Sequence, residues 1–429
     1  MELSNFIENN YISFAVHNNI QCITSYIDGL KESQRKCLYT VKEKNPQDIK
    51  VDALANKIAD FTHYNHGAES LMKVLVKMNQ PFENNILLLE KKSFFGSRLL
   101  PNAASPRYIK TSKSPIVDYI FPKDYDNVIV KQYNEGTEIE PKFYVPVIPL
   151  AVINGSEGIS VGFAQKVLPR SIESIINYFK GKPLNDTPSF PQFKGKVYKG
   201  ENKNQWIIQG IIEPYSKDEL IIKELPINYN LSQYREVLED LLTKKIIKDY
   251  QDKSDTKKDK FEFIVKFYNK IKNIDDSFYR KLKLVTTVTE NFTFINENNT
   301  ISQFENLKEV LDAFLKIKLD YTGKFKKHKL EQFKLDIEIL ENKIKFLKAV
   351  IDDRISFKNK TKEDLEKDLK EYLKVDGSYD YLLNLNIYNL TKNKLDILEK
   401  SLYNNIQDKN TLEKLTVEEI FLNEINKIT

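Results

Sequence analysis

The chain has 429 residues, of which 41% are hydrophobic and 30% charged, with a formal net charge of +5. That length suggests about two to four domains at roughly 100–200 residues each. No run of ~18 uncharged apolar residues occurs, so a membrane span is not expected. The N-terminus lacks the basic-then-apolar pattern of a secretory signal.

Residues 3–22 show mixed apolar and polar positions at helical spacing. Cys22 and Cys37 offer neither metal-ligand spacing nor a disulfide framework, which fits a reducing, intracellular compartment. A turn is expected at Asp28-Gly29, ahead of three cations, Lys31, Arg35 and Lys36. Lys31 and Arg35 are four apart, so on a helix they share a face. Such a pair can hold one phosphodiester or simply face solvent. Val51, Leu54, Ala55 and Ile58 predict one helix, and Leu71, Val74, Leu75 and Met78 a second. His66-Gly67 falls just before the second helix, where free N–H groups and the helix dipole favour an anion. His66 is a candidate donor to a phosphate oxygen, or a satisfied structural histidine. Two short helices followed by strand-like segments read as a helix-turn-helix or winged module.

Phe95-Gly-Ser-Arg98 precedes Ala103-Ala-Ser-Pro-Arg107-Tyr108, where small residues would let a nucleic-acid backbone approach. A tyrosine phenol ordinarily ionises near pH ~10 and is a poor nucleophile at neutrality. An adjacent guanidinium such as Arg107 would stabilise both a phenolate and a pentavalent phosphorus. With 23 tyrosines in the chain, the Arg107-Tyr108 pair alone also fits an ordinary surface or core position. From about 115 to 300, runs such as Val128–Val130, Val145–Ile148 and Trp206–Ile212 predict short strands between turns. A helix is expected over Tyr234–Lys248, and a solvated loop over the charged Asp249–Lys260. Asn154-Gly-Ser-Glu-Gly-Ile159-Ser-Val-Gly162 has three glycines in nine residues, too many for a relaxed backbone without a tight turn or a close approach. Ile159 there is either a buried turn residue or an apolar wedge between base pairs. Leu330, Phe333, Ile337, Leu340, Ile344, Leu347 and Ile351 alternate three- and four-residue steps, a heptad seam. It fits an antiparallel arm returning near 395–405, or one helix on a local core.

Taken in order, Gly29-Leu-Lys-Glu-Ser-Gln-Arg35-Lys36, Tyr64-Asn-His66-Gly67, Phe95-Gly-Ser-Arg98, Ala104-Ser-Pro-Arg107-Tyr108 and Asn154-Gly-Ser-Glu-Gly-Ile159 resemble the breakage-reunion region of type IIA DNA topoisomerases. The similarity continues through Phe143-Tyr-Val-Pro-Val-Ile-Pro149, Glu224-Leu-Pro-Ile227 and Tyr381–Lys392. Within that family it is strongest to the medium subunit of the T-even-type phage enzymes. The resemblance implies an α+β multidomain chain. Residues 1–150 would hold N-terminal helices and a winged-helix domain with the catalytic tyrosine. Residues 151–303 would form a tower, and 304–429 a long coiled coil with a small helical dimer gate at about 365–395. Tyr108 would be the nucleophile forming a 5′-phosphotyrosyl bond, and Arg107 would stabilise the transition state. His66 and Arg35 would contact the scissile phosphate. Ile159 would intercalate, and Lys31, Lys36 and Arg98 would bind nearby DNA backbone.

The implied function is the cleaving and rejoining subunit of an ATP-dependent type II topoisomerase. It would act on double-stranded DNA as a homodimer, inside the cell, in host cytoplasm if phage-encoded. The family's acidic metal-binding loop and its ATP signature are not in the sequence; Asp124-Tyr-Asp126 matches part of the former by spacing only. Mg²⁺ and ATP are therefore expected on a separate large subunit, with no metal ligands in this chain. A gyrase-type wrapping domain is not seen either, so relaxation and decatenation are expected without negative supercoiling. Three departures stand out: Asn65 replaces a second histidine, Ser93 replaces a glycine, and Pro106 restricts its neighbour to extended geometry. The alternative is a non-enzymatic, dimeric, DNA-architectural protein, which would bind DNA without a covalent adduct; an unrelated helical scaffold would show no salt-dependent DNA affinity.

Overall fold

Helix α1 (Ile12–Cys22) leads into α2 (Glu32–Lys44), strand β1 (Ile49–Lys50), α3 (Val51–Phe61) and α4 (Ala68–Met78). The computed structural model describes residues 7–271, 273–352, 354–355, 360–375, 377–385 and 392–428. Val51, Leu54, Ala55 and Ile58 of α3 and Leu71, Leu75 and Met78 of α4 are buried, so the 3.6-residue apolar stripes form the seam between helices, as such stripes must. Asn45 ends α2 in the left-handed region at φ 42°, a conformation asparagine tolerates at a helix C-terminus. β2 (Leu89–Lys91) and β3 (Lys110–Lys113) complete a three-stranded antiparallel sheet in the order β1-β3-β2. Lys50 lies opposite Lys110, and Lys91 opposite Thr111. Helices α2–α4 backed by this sheet are a winged helix, and the long β2–β3 connection, Lys92–Ile109, is its wing.

Helix α5 (Ile116–Ile120), hairpin β4 (Gln132–Asn134) and β5 (Thr137–Ile139), and helix α6 (Leu150–Ile153) follow. The strands expected at Val128–Val130 and Val145–Ile148 are irregular backbone. Of the first run only Ile129 is buried and Val130 is exposed; the second is buried, but Pro146 and Pro149 have no N–H to give a ladder. Tyr144 N instead donates to Asp28 and Val147 N to the Ile120 carbonyl. Strands β6 (Ser156–Ser160) and β7 (Phe163–Val167) form a hairpin with Ile159 opposite Ala164. Its base sits against α1: a Cβ on Gly158 would lie 2.3 Å from the Cys22 carbonyl oxygen, so no larger residue fits there.

After α7 (Ile172–Phe179) come two sheets. One orders β8 (Lys196–Lys199), β9 (Gln205–Gln209) and β14 (Val285–Thr289) as β14-β9-β8. The other orders β10 (Ile211–Pro214), β11 (Glu219–Glu224), β12 (Asp249–Asp252) and β13 (Phe263–Lys266) as β10-β11-β13-β12. Helix α8 (Leu231–Thr243) covers this sheet with Tyr234, Leu238 and Leu241. It starts earlier than Tyr234 because Asn230 and Gln233 cap it reciprocally. Asp249–Asp252 is an edge strand and not a loop; its exposed–half-buried alternation shows that charges on one side of an edge do not prevent pairing. Arg170, Glu290 and the Trp206 indole form a buried network at 2.7–3.0 Å. Helix α9 (Asp276–Lys281) and hairpin β15 (Phe292–Ile295) and β16 (Ile301–Phe304) end this region.

Two compact units result: residues 1–318 with 422–429, and residues 319–421. The expected boundary at 150 falls at the start of α6, inside the first unit, and the expected boundary at 303 falls within β16. Helix α10 (Leu307–Ile351) is 45 residues long. In the second unit, Leu340, Ile344 and Leu347 of α10 pack on Leu395, Leu398 and Leu402 of α13 (Lys392–Lys414). Lys348 pairs with Glu399, while Lys326 Nζ meets the carbonyls of Glu413 and Leu415, so the pair runs antiparallel. Helices α11 (Lys362–Asp368) and α12 (Asp380–Leu383) lie between them in sequence. Leu369, Tyr372, Tyr379 and Leu382 pack there on Phe346 and Ala349, a small helical head where the gate was expected. Residues 386–391 of that expectation lie outside the described residues. In the first unit, α14 (Val417–Ile425) brings Glu424 to the buried Lys318 ammonium at 2.8 Å.

Candidate active site

The wing places a phenol in solvent. Ser105-Pro106-Arg107-Tyr108 is a β-turn closed by Tyr108 N on the Ser105 carbonyl at 2.9 Å, with proline at the second position, where its fixed φ suits the turn. Tyr108 is 73% exposed. Arg107 beside it is also exposed, and among the described residues its guanidinium has no carboxylate partner. The turn is pinned to the start of α3: Val51 N donates to the Ile109 carbonyl at 3.0 Å and Asp52 N to the Pro106 carbonyl at 3.4 Å. Two of the N–H groups that every helix leaves free at its N-terminus are thereby used to hold the tyrosine loop. Ser93 supports it too, accepting from Lys110 N at 3.0 Å. The glycine-to-serine departure thus adds a contact.

His66 is exposed, immediately before the Gly67 N-cap of α4, with its ring edge-on to Tyr64 at 5.3 Å. Histidine and tyrosine stand on neighbouring elements of one winged helix. Neither side chain is bonded to the other.

Four other nominated cations are placed differently from expectation. Lys31 is the N-cap of α2, in extended geometry, so it shares no helix face with Arg35. Arg35 is only 8% exposed. Its Nε and Nη2 donate to Asp28 at 2.6 and 3.2 Å, and Nη2 also to the Leu30 carbonyl at 3.2 Å. Lys36 pairs with Glu140 at 2.6 Å and donates to the Thr62 carbonyl. Arg98 pairs with Glu224 at 2.7 Å, donates to the Leu225 carbonyl at 2.9 Å, and lies against the rings of Phe193 and Phe261. Buried cations need such partners, and sequence spacing does not reveal which carboxylate the fold will bring. Arg98 and Glu224 belong to two separate motifs, which the structure joins.

Lys31 instead opens onto a cleft of about 670 Å³ that Lys73, Lys77, Arg98 and Lys166 also line. Burial lowers the Lys31 ammonium below its ordinary value, and Lys77 adds to that; a bound anion would reverse it. Lys73 and Lys77 were missed in the sequence, although they are exposed and four apart on α4. The same cleft is bordered by Pro101 of the wing and by Gly155–Glu157 of the hairpin. Ile159 on that hairpin is 78% exposed, so it is a projecting strand residue and not a buried turn residue. Asn154 at the hairpin base exchanges two hydrogen bonds with the backbone of Ile86, at 2.8 and 3.0 Å.

The Asp124–Asp126 pair does not fit a metal: both oxygens of Asp126 accept from Lys42 Nζ at 2.8 and 2.9 Å. Among the described residues no group of three or more histidine, cysteine, aspartate or glutamate side chains is placed to hold a metal ion, and no helix is long and apolar enough to cross a membrane.

The family profile of the DNA gyrase/topoisomerase IV A-subunit matches residues 21–428. DNA topoisomerase 2, mitochondrial, of Dictyostelium discoideum is 32% identical over 421 residues, covering 92% of this chain and 32% of that protein. DNA topoisomerase 2-beta of Homo sapiens is 30% identical over 452 residues, covering 92% of this chain and 28% of that protein. Among solved structures, the DNA-binding, cleavage and re-ligation domain of Plasmodium falciparum topoisomerase II matches with a TM-score of 0.88 and 28% identity, over 99% of this chain and 63% of that one. The chain thus spans about a third of the length of the curated relatives it matches. With its winged helix, exposed wing tyrosine and long antiparallel helical arm, the chain belongs to the DNA gyrase/topoisomerase IV A-subunit family.

Proposed function

We propose that this chain cleaves and rejoins double-stranded DNA as one subunit of a type II topoisomerase, with Tyr108 as nucleophile. The observation that carries the reading is the exposed Tyr108 phenol beside the exposed Arg107, on a loop held by the start of α3. The phenolic oxygen attacks phosphorus, the oxygen–phosphorus bond to tyrosine forms, and the bond to the 3′-oxygen breaks. The phenol gives up its proton, and the departing 3′-oxygen takes one up. Arg107 offsets the charge that builds on the phosphoryl oxygens. One phosphate ester replaces another, so resealing runs the same step backwards without an energy source.

Several finer assignments belong to this proposal. His66, at the N-terminal end of α4, donates to a non-bridging oxygen of the scissile phosphate. Lys31, with Lys73 and Lys77, meets the DNA backbone. Ile159 enters the base stack and bends the cut duplex. Arg35, Lys36 and Arg98 act by holding the elements that carry these groups. Two copies of the chain, joined through the helical arm, cut one strand each. Mg²⁺ and ATP are supplied by a large partner subunit; in support, both oxygens of Asp126, from the Asp124–Asp126 pair, are taken by Lys42. Among family members we place the chain with the T-even-type phage medium subunits, on the spelling of its motifs.

The test mixes the chain with its large subunit, Mg²⁺ and supercoiled plasmid, and stops the reaction with detergent. Linear DNA with protein on its 5′ ends is expected. DNA that binds but never carries covalent protein would leave only the architectural alternative.

A further inference from the structure

Helix α4 has His66-Gly67 at one end and Asn79-Gln80 at the other. The Gln80 Nε2 donates to two carbonyls of the tyrosine loop, Phe95 at 3.1 Å and Pro101 at 3.0 Å. Its two amide hydrogens serve one acceptor each. Those carbonyls flank the Gly96–Leu100 turn, which is closed by Ser97 N on the Leu100 carbonyl at 2.8 Å. The turn has no slack: Gly96 stands at φ +92°, and a Cβ there would lie 2.5 Å from the Pro101 carbonyl oxygen. Gln80 is itself fixed, because its carbonyl accepts from Glu83 N and Asn84 N, both at 3.2 Å. Its neighbour Asn79 is buried and ties α4 to β3, donating to the Leu75 carbonyl at 2.8 Å and accepting from Thr111 Oγ1 at 3.0 Å. Asn79 thus holds the strand that leaves Tyr108, and Gln80 holds the turn that leads to it.

We propose that Gln80 is a positioning residue for DNA cleavage, its paired hydrogen bonds setting the wing that carries Arg107 and Tyr108 relative to helix α4. The inference rests on Tyr108 being the nucleophile. The Lys92–Ile109 segment contains no regular secondary structure, and such loops shift most easily. In-line attack is intolerant of shifts: a displacement of about 1 Å costs on the order of 100-fold in rate. Arg98, within the same turn, is held on Glu224 and Leu225; Gln80 links the turn to α4, which His66 precedes.

The test uses the full chain with its large subunit, Mg²⁺ and a short duplex containing one cleavage site. Gln80→Met keeps the side-chain length and removes both donors. It is expected to slow single-turnover adduct formation roughly 10- to 100-fold while DNA affinity changes less than about two-fold. Gln80→Glu presents a carboxylate to two carbonyls and recovers one donor when protonated. Its rate relative to wild type, measured at saturating DNA on the folded fraction alone, is expected to rise as pH falls from 8 to 6; with stability thus removed from the readout, the trend reports positioning. Should Gln80→Met fail to fold, the Gln80→Glu profile decides alone. Wild-type rates in the variants, or a flat Gln80→Glu ratio, overturn the role of Gln80. A wild-type chain that forms no adduct overturns the Tyr108 reading instead, so the two failures are told apart.

Discussion

Replacing Arg35 by glutamine separates a phosphate contact from a buried strut. Arg35 gives two charge-assisted hydrogen bonds to Asp28, whose side chain is fully buried. Without them, among the described residues, Asp28 keeps as partners the N–H groups of Leu30 and Tyr144, in a site closed to solvent. Removing one partner of such a pair costs about 3–5 kcal/mol. At a urea dependence of about 2–3 kcal/mol/M, the unfolding midpoint should fall by roughly 1–2.5 M. A phosphate ligand behaves otherwise: its loss lowers the slope of log affinity against log salt by about 0.9. For Arg35→Gln we expect the stability loss and an unchanged salt slope, measured on the fraction that remains folded. Lys73→Ala, on the exposed face of α4, should do the reverse, with the slope reduced and stability within about 0.5 kcal/mol of wild type. An Arg35→Gln protein of native stability and reduced salt slope would refute the strut and restore direct phosphate contact.

Ile159→Ala should leave stability within about 0.5 kcal/mol, because so exposed a side chain packs on little. The duplex bend, read as energy transfer between dyes at its two ends, should diminish, and an unchanged bend would remove Ile159 as the wedge. Burial pushes the Cys37 thiol up to about 12 from its ordinary 9.0, so at pH 8 roughly one molecule in 10,000 holds a thiolate there. Iodoacetamide should therefore label the half-exposed Cys22 in the native protein and Cys37 only after denaturation, as peptide mapping would show. The same shift has a sign for stability: above about pH 9 the unfolded chain ionises first, so this group lowers stability as alkalinity rises.

The elements legible in the sequence were those governed by local rules. The apolar stripes of α3, α4 and α10 followed helical spacing, and the placement of His66-Gly67 before α4 followed from where the stripe begins. The turn at Ser105–Tyr108 was not expected, although Pro106 at its second position suits it. Illegible were the partners that the fold supplies from far along the chain. Asp28 is only seven residues from Arg35, but the Tyr144 N–H that joins them comes from far along the chain, and nothing near Arg98 points to Glu224. The charged run at Asp249–Asp252 read as loop because half of each residue pair faces solvent, although its backbone completes a sheet. The apolar Val145–Ile148 read as strand because proline content was outweighed by hydrophobicity. Gln80 left no chemical signature, since an amide after a helix usually caps or faces water; only the two carbonyls it meets give it a role.

The most direct measurement is mass spectrometry of peptides from the cleaved complex after nuclease trimming. The account requires that a peptide containing Tyr108 carry a nucleotide through its phenolic oxygen, and that Tyr108→Phe bind DNA as wild type does while yielding none. A nucleotide found on any other residue, or an undiminished adduct in Tyr108→Phe, would contradict it.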